Sequence, residues 1–104
     1  MLEIIKNKET LASCYFADND LIAIGAMKAL KQCGYKIPKD ISIIGFDNMP
    51  FSSIIEPMLT TVHVPKQYMG EIAVQRLVER LKNSGLPPLK IQISTTLVKR
   101  QTVI

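Results

Sequence analysis

Cysteine, histidine and glycine are scarce in this chain, and long apolar runs are missing altogether. Two cysteines, Cys14 and Cys33, are too few for a disulfide framework and lack metal-ligand spacing. They read as small hydrophobes for the core to bury. His63 is the single histidine, and within a strand it reads as a packed or surface residue. The five glycines make no Gly-x-Gly-x-x-Gly and no phosphate loop, and no serine sits in a Gly-x-Ser-x-Gly elbow. Gly25 falls inside a helical stretch, where it is expected to permit close packing. Glu56 beside Pro57 and Glu71 beside Gly70 form no defensible carboxylate pair. The residues therefore imply no catalytic group, no metal and no cofactor. No apolar run reaches the ~18 residues of a membrane span, and no charged start leads into a signal-peptide stretch. The expectation is a cytoplasmic protein without a membrane partner.

Charge excludes a further class. The formal net charge is +4, but the lysines are spread from Lys6 to Lys99. Arg76, Arg80 and Arg100 fall between helical or strand positions. No dense basic run is interleaved with aromatics, as a nucleic-acid platform requires. The basic residues read as a solvated surface.

What is present is globular. Of 104 residues, 47% are hydrophobic and 21% charged, a composition that folds. The length is that of one domain or a piece of one, which buries roughly 65% of its unfolded surface.

Apolar spacing divides the chain into alternating elements. Leu2, Ile4 and Ile5 suit the end of a helix, followed by a polar connection over 6–10. Residues 13–17 predict a short strand, and 20–33 a helix with Asp18 or Asn19 as N-cap. Asp20 and Lys31 suit the two ends of its dipole, and Gly34 the left-handed position beyond it. Residues 41–46 are almost wholly apolar, which predicts a parallel strand covered on both faces. Residues 59–64 predict another strand. Pro65 opens a helix to about Lys82, in which Met69, Ile72, Ala73, Leu77, Val78 and Leu81 predict one buried face. Residues 90–98 alternate as a strand with one exposed face. This order predicts a Rossmann-like layered α/β fold with a mainly parallel sheet.

In such sheets ligands bind beyond the carboxyl ends of the strands. Two strand ends deliver polar groups there: Asn19, whose amide donates and accepts, and Asp47, an acceptor at neutral pH. Together they suit a polyol, whose hydroxyls offer both donors and acceptors. Taken singly, each is as well explained as a cap or turn residue.

The segment Phe16-Ala17-Asp18-Asn19-Asp20-Leu21-Ile22-Ala23-Ile24-Gly25-Ala26-Met27 resembles a stretch of the lactose/galactose-type (LacI/GalR) repressors. So do Gly34-Tyr35-Lys36-Ile37-Pro38 through Gly45-Phe46-Asp47-Asn48, Pro57-Met58-Leu59-Thr60-Thr61-Val62, Met69-Gly70 with Ala73, and Leu97-Val98-Lys99-Arg100-Gln101-Thr102. These blocks, in the right order, cover nearly the whole chain. The resemblance implies the C-terminal part of an effector-sensing domain, similar to periplasmic sugar-binding proteins. Residues 1–64 and 96–104 correspond to the C-terminal lobe. Residues 65–95 correspond to a helix and strand that pack on the N-terminal lobe, and the DNA-binding headpiece is absent. A small, sugar-like effector between lobes then alters operator affinity through that headpiece. Asn19 and Asp47 match positions that bind the effector.

Three more expectations follow from the resemblance. Val64-Pro65 stands where the family often has Gln-Pro, so the expected effector is less polar there, or is contacted by residues upstream of this segment. The second helix and the segment around Ile54 and Ile55 contribute to a homodimer interface, with Ile24 as the best single contact. The apolar face of the 65–82 helix, without its lobe, is expected to turn to this chain's own sheet or a second copy. A periplasmic sugar-binding protein shares the fold and the Asn/Asp pair and stays as the alternative; an enzyme would need the phosphate loop that is missing.

Overall fold

The computed structural model describes residues 1–7 and 10–104; of the polar connection, Lys8 and Glu9 lie outside the described residues. The elements run α1 (Leu2–Lys6), β1 (Cys14–Phe16), α2 (Asp20–Gln32), β2 (Ser42–Asp47), a 3-10 turn (Pro50–Ser53), β3 (Thr60–His63), α3 (Lys66–Lys82) and β4 (Thr96–Val98). The chain divides into two compact units, Met1–His63 with Thr96–Ile104, and Val64–Thr95.

The first unit holds a four-stranded sheet in the order β1-β2-β3-β4. The first two pairings are parallel and the third is antiparallel. The layered α/β fold with a mainly parallel sheet is therefore what forms. Ala23, Met27 and Leu30 of α2 bury themselves against Ile41, Ile43 and Leu59. Complete burial of a side chain such as Leu30 or Ile43 stabilises by about 1.5–3 kcal/mol, so this one contact layer carries the unit. The helix ends as its sequence dictates. Asn19, in extended backbone, accepts the Ile22 N–H at 2.9 Å. Gly34, at φ +86°, turns the chain out in the left-handed region that disfavours a side chain.

Side-chain direction alternates along β2, and so does cover. Ile43 and Gly45 point to α2 and are buried, while Ile44 and Phe46 on the opposite face are only half-buried. Phe16, on that same face, is 63% exposed and meets Phe46 edge-on, centroids 6.4 Å apart. The expectation of cover on both faces is corrected: within this unit one helix supplies one face. The cysteines depart as well, both being exposed. Cys14 alternates away from the α2 face on the outermost strand, and Cys33 sits past the last buried turn of α2. Nothing lies within 4 Å of a Cβ built on Gly25, so close packing does not explain that glycine.

Between β2 and β3, the chain's last residues serve as a seam. Ile43 N–H donates to the Thr102 carbonyl at 2.9 Å. The Thr102 hydroxyl donates to the Ile43 carbonyl at 2.6 Å and accepts the Thr60 N–H at 2.9 Å. Thr102 is completely buried, and these bonds compensate its polar groups for lost water.

The second unit contains α3. Pro65 stands at its N-cap rather than as its first residue. None of its residues is buried, and Met69, Leu77 and Leu81 remain exposed. The predicted buried face is corrected to an open one: within the unit it meets only a short segment, through a shallow concavity of about 280 Å³ lined by Ile72, Leu77, Leu89 and Ile91. Arg76 pairs with Glu79 at 2.8 Å and donates to the Pro87 carbonyl at 2.9 Å. The expected strand over 90–98 shrinks to Thr96–Val98. Alternation alone does not make a strand; a ladder partner does, and among the described residues only 96–98 find one, on β3.

Candidate functional site

Adjacent parallel strands β1 and β2 release the chain at the same end of the sheet, where Asn19 and Asp47 lie. The joint between them is Asp20. Its carboxylate is completely buried, a costly position unless hydrogen-bonded. One oxygen accepts the Met49 N–H at 2.7 Å, and the other accepts the Thr61 hydroxyl. Asp20 thus ties the start of α2 to the turn after β2 and to β3, bringing the segments that carry Asn19 and Asp47 together. Its expected role, at the helix dipole, is too small. A signal for the larger one stands in the sequence at Gly45, because a glycine inside a strand marks close approach. A Cβ there would lie 2.3 Å from Asp20 Oδ1 and 2.8 Å from Leu59 Cδ2.

The turn itself is strained. Asp47 has φ 107° and Asn48 φ 52°, each in the region that disfavours side chains at a cost of order 1–3 kcal/mol. Asn48 is over-determined by its partners. Its N–H donates to Thr61 Oγ1 at 3.2 Å, its Oδ1 accepts from Arg100 Nη2 at 2.7 Å, and its Nδ2 lies 3.1 Å from His63 Nδ1. His63 is exposed and pairs in register with Asp47.

Arg100 corrects another expectation. Far from being only a solvated charge, it also gives Nη1 to the Leu59 carbonyl at 2.8 Å and to Ser52 Oγ at 2.9 Å. Nothing in its spacing announced this; the partners are 41 to 52 residues away. Asn19 Oδ1 is taken by the helix cap, which leaves Nδ2 as the part of the amide with donors. Ile24 and Ile55 line a shared concavity of about 320 Å³ with Met27 and Lys31, beside the bond from Lys31 Nζ to the Glu56 carbonyl. Ile54 does not line it and is 80% exposed. Among the described residues no group of histidine, cysteine and carboxylate side chains could hold a metal ion, and no helix is long and apolar enough to cross a membrane.

Comparison with known proteins agrees on the fold. A family model for the periplasmic binding protein-like domain matches residues 5–103. The HTH-type transcriptional repressor PurR of Aliivibrio fischeri is 37% identical over 103 residues, which are 99% of this chain and 30% of that protein. The chain thus spans about a third of the length of the curated relatives it matches. A LacI transcriptional regulator from Bacillus cereus subsp. cytotoxis superimposes with TM-score 0.92 at 34% identity, covering 99% of this chain and 36% of that one. A LacI family transcriptional regulator from Enterococcus faecium, with bound ribose, gives TM-score 0.85 at 29% identity, covering 98% and 38%. The chain belongs to the family of periplasmic binding protein-like domains, and within it to the lactose/galactose repressor-type (LacI/GalR) members.

Proposed function

We propose that this chain is the ligand-sensing part of a bacterial transcriptional repressor. It binds a small effector, a sugar or related polyol, at the carboxyl ends of β1 and β2. A DNA-binding headpiece carried elsewhere in the protein then reads the occupancy as a change in operator affinity. The observation that carries this is the strained, heavily braced Asp47–Asn48 turn beside Asn19. Left-handed non-glycine residues persist where surrounding structure over-determines them, and they cluster at ligand sites. Support for the chemistry comes from the ribose bound to the E. faecium regulator, and for the coupling from the repressor name of the A. fischeri relative.

Asp47 would accept from effector hydroxyls, and Asn19 Nδ2 would donate to them. We assign Met1–His63 with Thr96–Ile104 to one lobe and Val64–Thr95 to material of the other, a division supported by the two compact units. Ile24, Ile54 and Ile55 would contribute to a homodimer, because they place apolar surface where solvent now meets it. Catalysis has no part in this reading, and its place is the cytoplasm, where operator DNA is.

The test is a thermal-shift screen of the full-length protein against pentoses, hexoses, sugar phosphates, nucleosides and purines. A ligand at 100 times its Kd stabilises by about 2.7 kcal/mol. Its shift should vanish with Asp47→Ala. Asn19→Ala removes cap and contact together, so Asn19→Asp, which keeps a cap oxygen but no donor, should also lose the shift. No shift with any ligand, or one indifferent to Asp47→Ala, rejects the site.

A further inference from the structure

We propose that Arg100 is the positioning residue of this site, holding the Asp47–Asn48 turn and setting the hydrogen-bond polarity of His63. The proposal rests on the effector-site reading above. A guanidinium has donors only. The Asn48 atom 2.7 Å from Arg100 Nη2 is therefore the carboxamide oxygen, and the atom facing His63 is Nδ2, a donor. His63 Nδ1 must then accept, which puts the ring hydrogen on Nε2. One charged fork thus decides, through an amide, which face of an imidazole donates, at the strand position paired in register with Asp47.

The fork is itself fixed. The Ser52 hydroxyl spends its proton on the Met49 carbonyl at 2.6 Å, so toward Arg100 Nη1 it accepts. The Leu59 carbonyl takes a second bond from the same nitrogen, and Arg100 N–H donates to Thr60 Oγ1 at 2.8 Å. Ser52 and Thr60 are completely buried, so these acceptors have no water to turn to. Lysine offers a point charge rather than a planar fork and cannot meet these acceptors together. The result is a donor on His63 beside an acceptor on Asp47, the pair a hydroxyl needs.

The experiment has two arms on the full-length protein. In the first, long-range 1H–15N NMR of the ring, assigned with His63→Gln, reads the tautomer without any ligand. We expect Nε2–H in the natural protein, a mixture in Arg100→Met, and Nδ1–H or the imidazolium in Asn48→Asp. Asn48→Asp keeps the bond to Arg100 and so serves should Arg100→Met fail to fold. In the second arm, D-ribose titrations are made with Arg100→Met, Asn48→Asp, Asp47→Ala and the doubles with Asp47→Ala. Each positioning variant should lower affinity about tenfold, the scale seen when the partner that orients a ligating side chain is removed. Combined with Asp47→Ala, each should cost less than the tenfold it costs alone, because only its effect through His63 remains. A ring tautomer indifferent to Arg100 and Asn48, or losses that simply add to that of Asp47→Ala, overturns the positioning role and leaves the site reading intact. Ribose that binds regardless of Asp47→Ala removes the site reading and the positioning role with it; should ribose not bind, the tautomer arm alone decides the positioning role.

Discussion

The two helices make opposite use of similar patterns. α2 is 13 residues long and buries five of them, whereas α3 is 17 residues long and buries none. Both carry apolar residues at spacings of three and four. What separates them is the surface on offer: α2 lies on a sheet face with Ile43 and Leu59 at its centre, and α3 has only a short segment of its own unit. Amphipathic spacing states which face a helix would bury, and the partner decides whether it does.

Truncations should expose that contrast. Leu30→Ala, at a position with no exposed surface, should destabilise the chain by about 2–5 kcal/mol in urea denaturation. A cost below that of an exposed leucine would mean that α2 is not the keystone of the sheet. Gly45→Ala comes next, at about 1–3 kcal/mol, because the new methyl group must displace the Asp20 carboxylate or Leu59. Its melting temperature should fall even though alanine suits a sheet no worse than glycine. Asn19→Ala should cost about 1 kcal/mol through the lost cap, with Asn19→Asp largely restoring it. Leu77→Ala on α3, at 59% exposure, should change stability by no more than about 0.5 kcal/mol. A large loss there would reveal a partner for α3 and erase the difference between the two helices.

The same contrast explains what could be read in advance. Strands and helices were legible because their signals are local: the cap at Asn19, the stop at Gly34, the β-branched run through Ile43 and Ile44. Cover was not. It depends on which element arrives from elsewhere in the chain, so both faces of β2, the α3 face and the cysteines were all expected to be more buried than they are. The positions of Asn19 and Asp47 at neighbouring strand ends followed from alternation of helices and strands. The groups that brace them did not, since Asp20 reaches Thr61 and Arg100 reaches Asn48 across 41 and 52 residues. Charge on Asp20 and Arg100 was visible, but a carboxylate that suits a helix start and an arginine near a strand end are each complete local stories. Only Gly45 carried a mark of the long-range arrangement.

The seam at Thr102 has a consequence for the order of events during synthesis. The ladder between β2 and β3 needs Thr102 to satisfy Ile43 and Thr60, and the ribosome makes that residue after all of Val64–Thr95. Domains tend to fold as units while they are translated. This unit has to wait, with β1, α2, β2 and β3 already outside the exit tunnel. Until residue 102 emerges, the nascent chain displays an unfinished sheet, and that interval is when a chaperone would have most to hold.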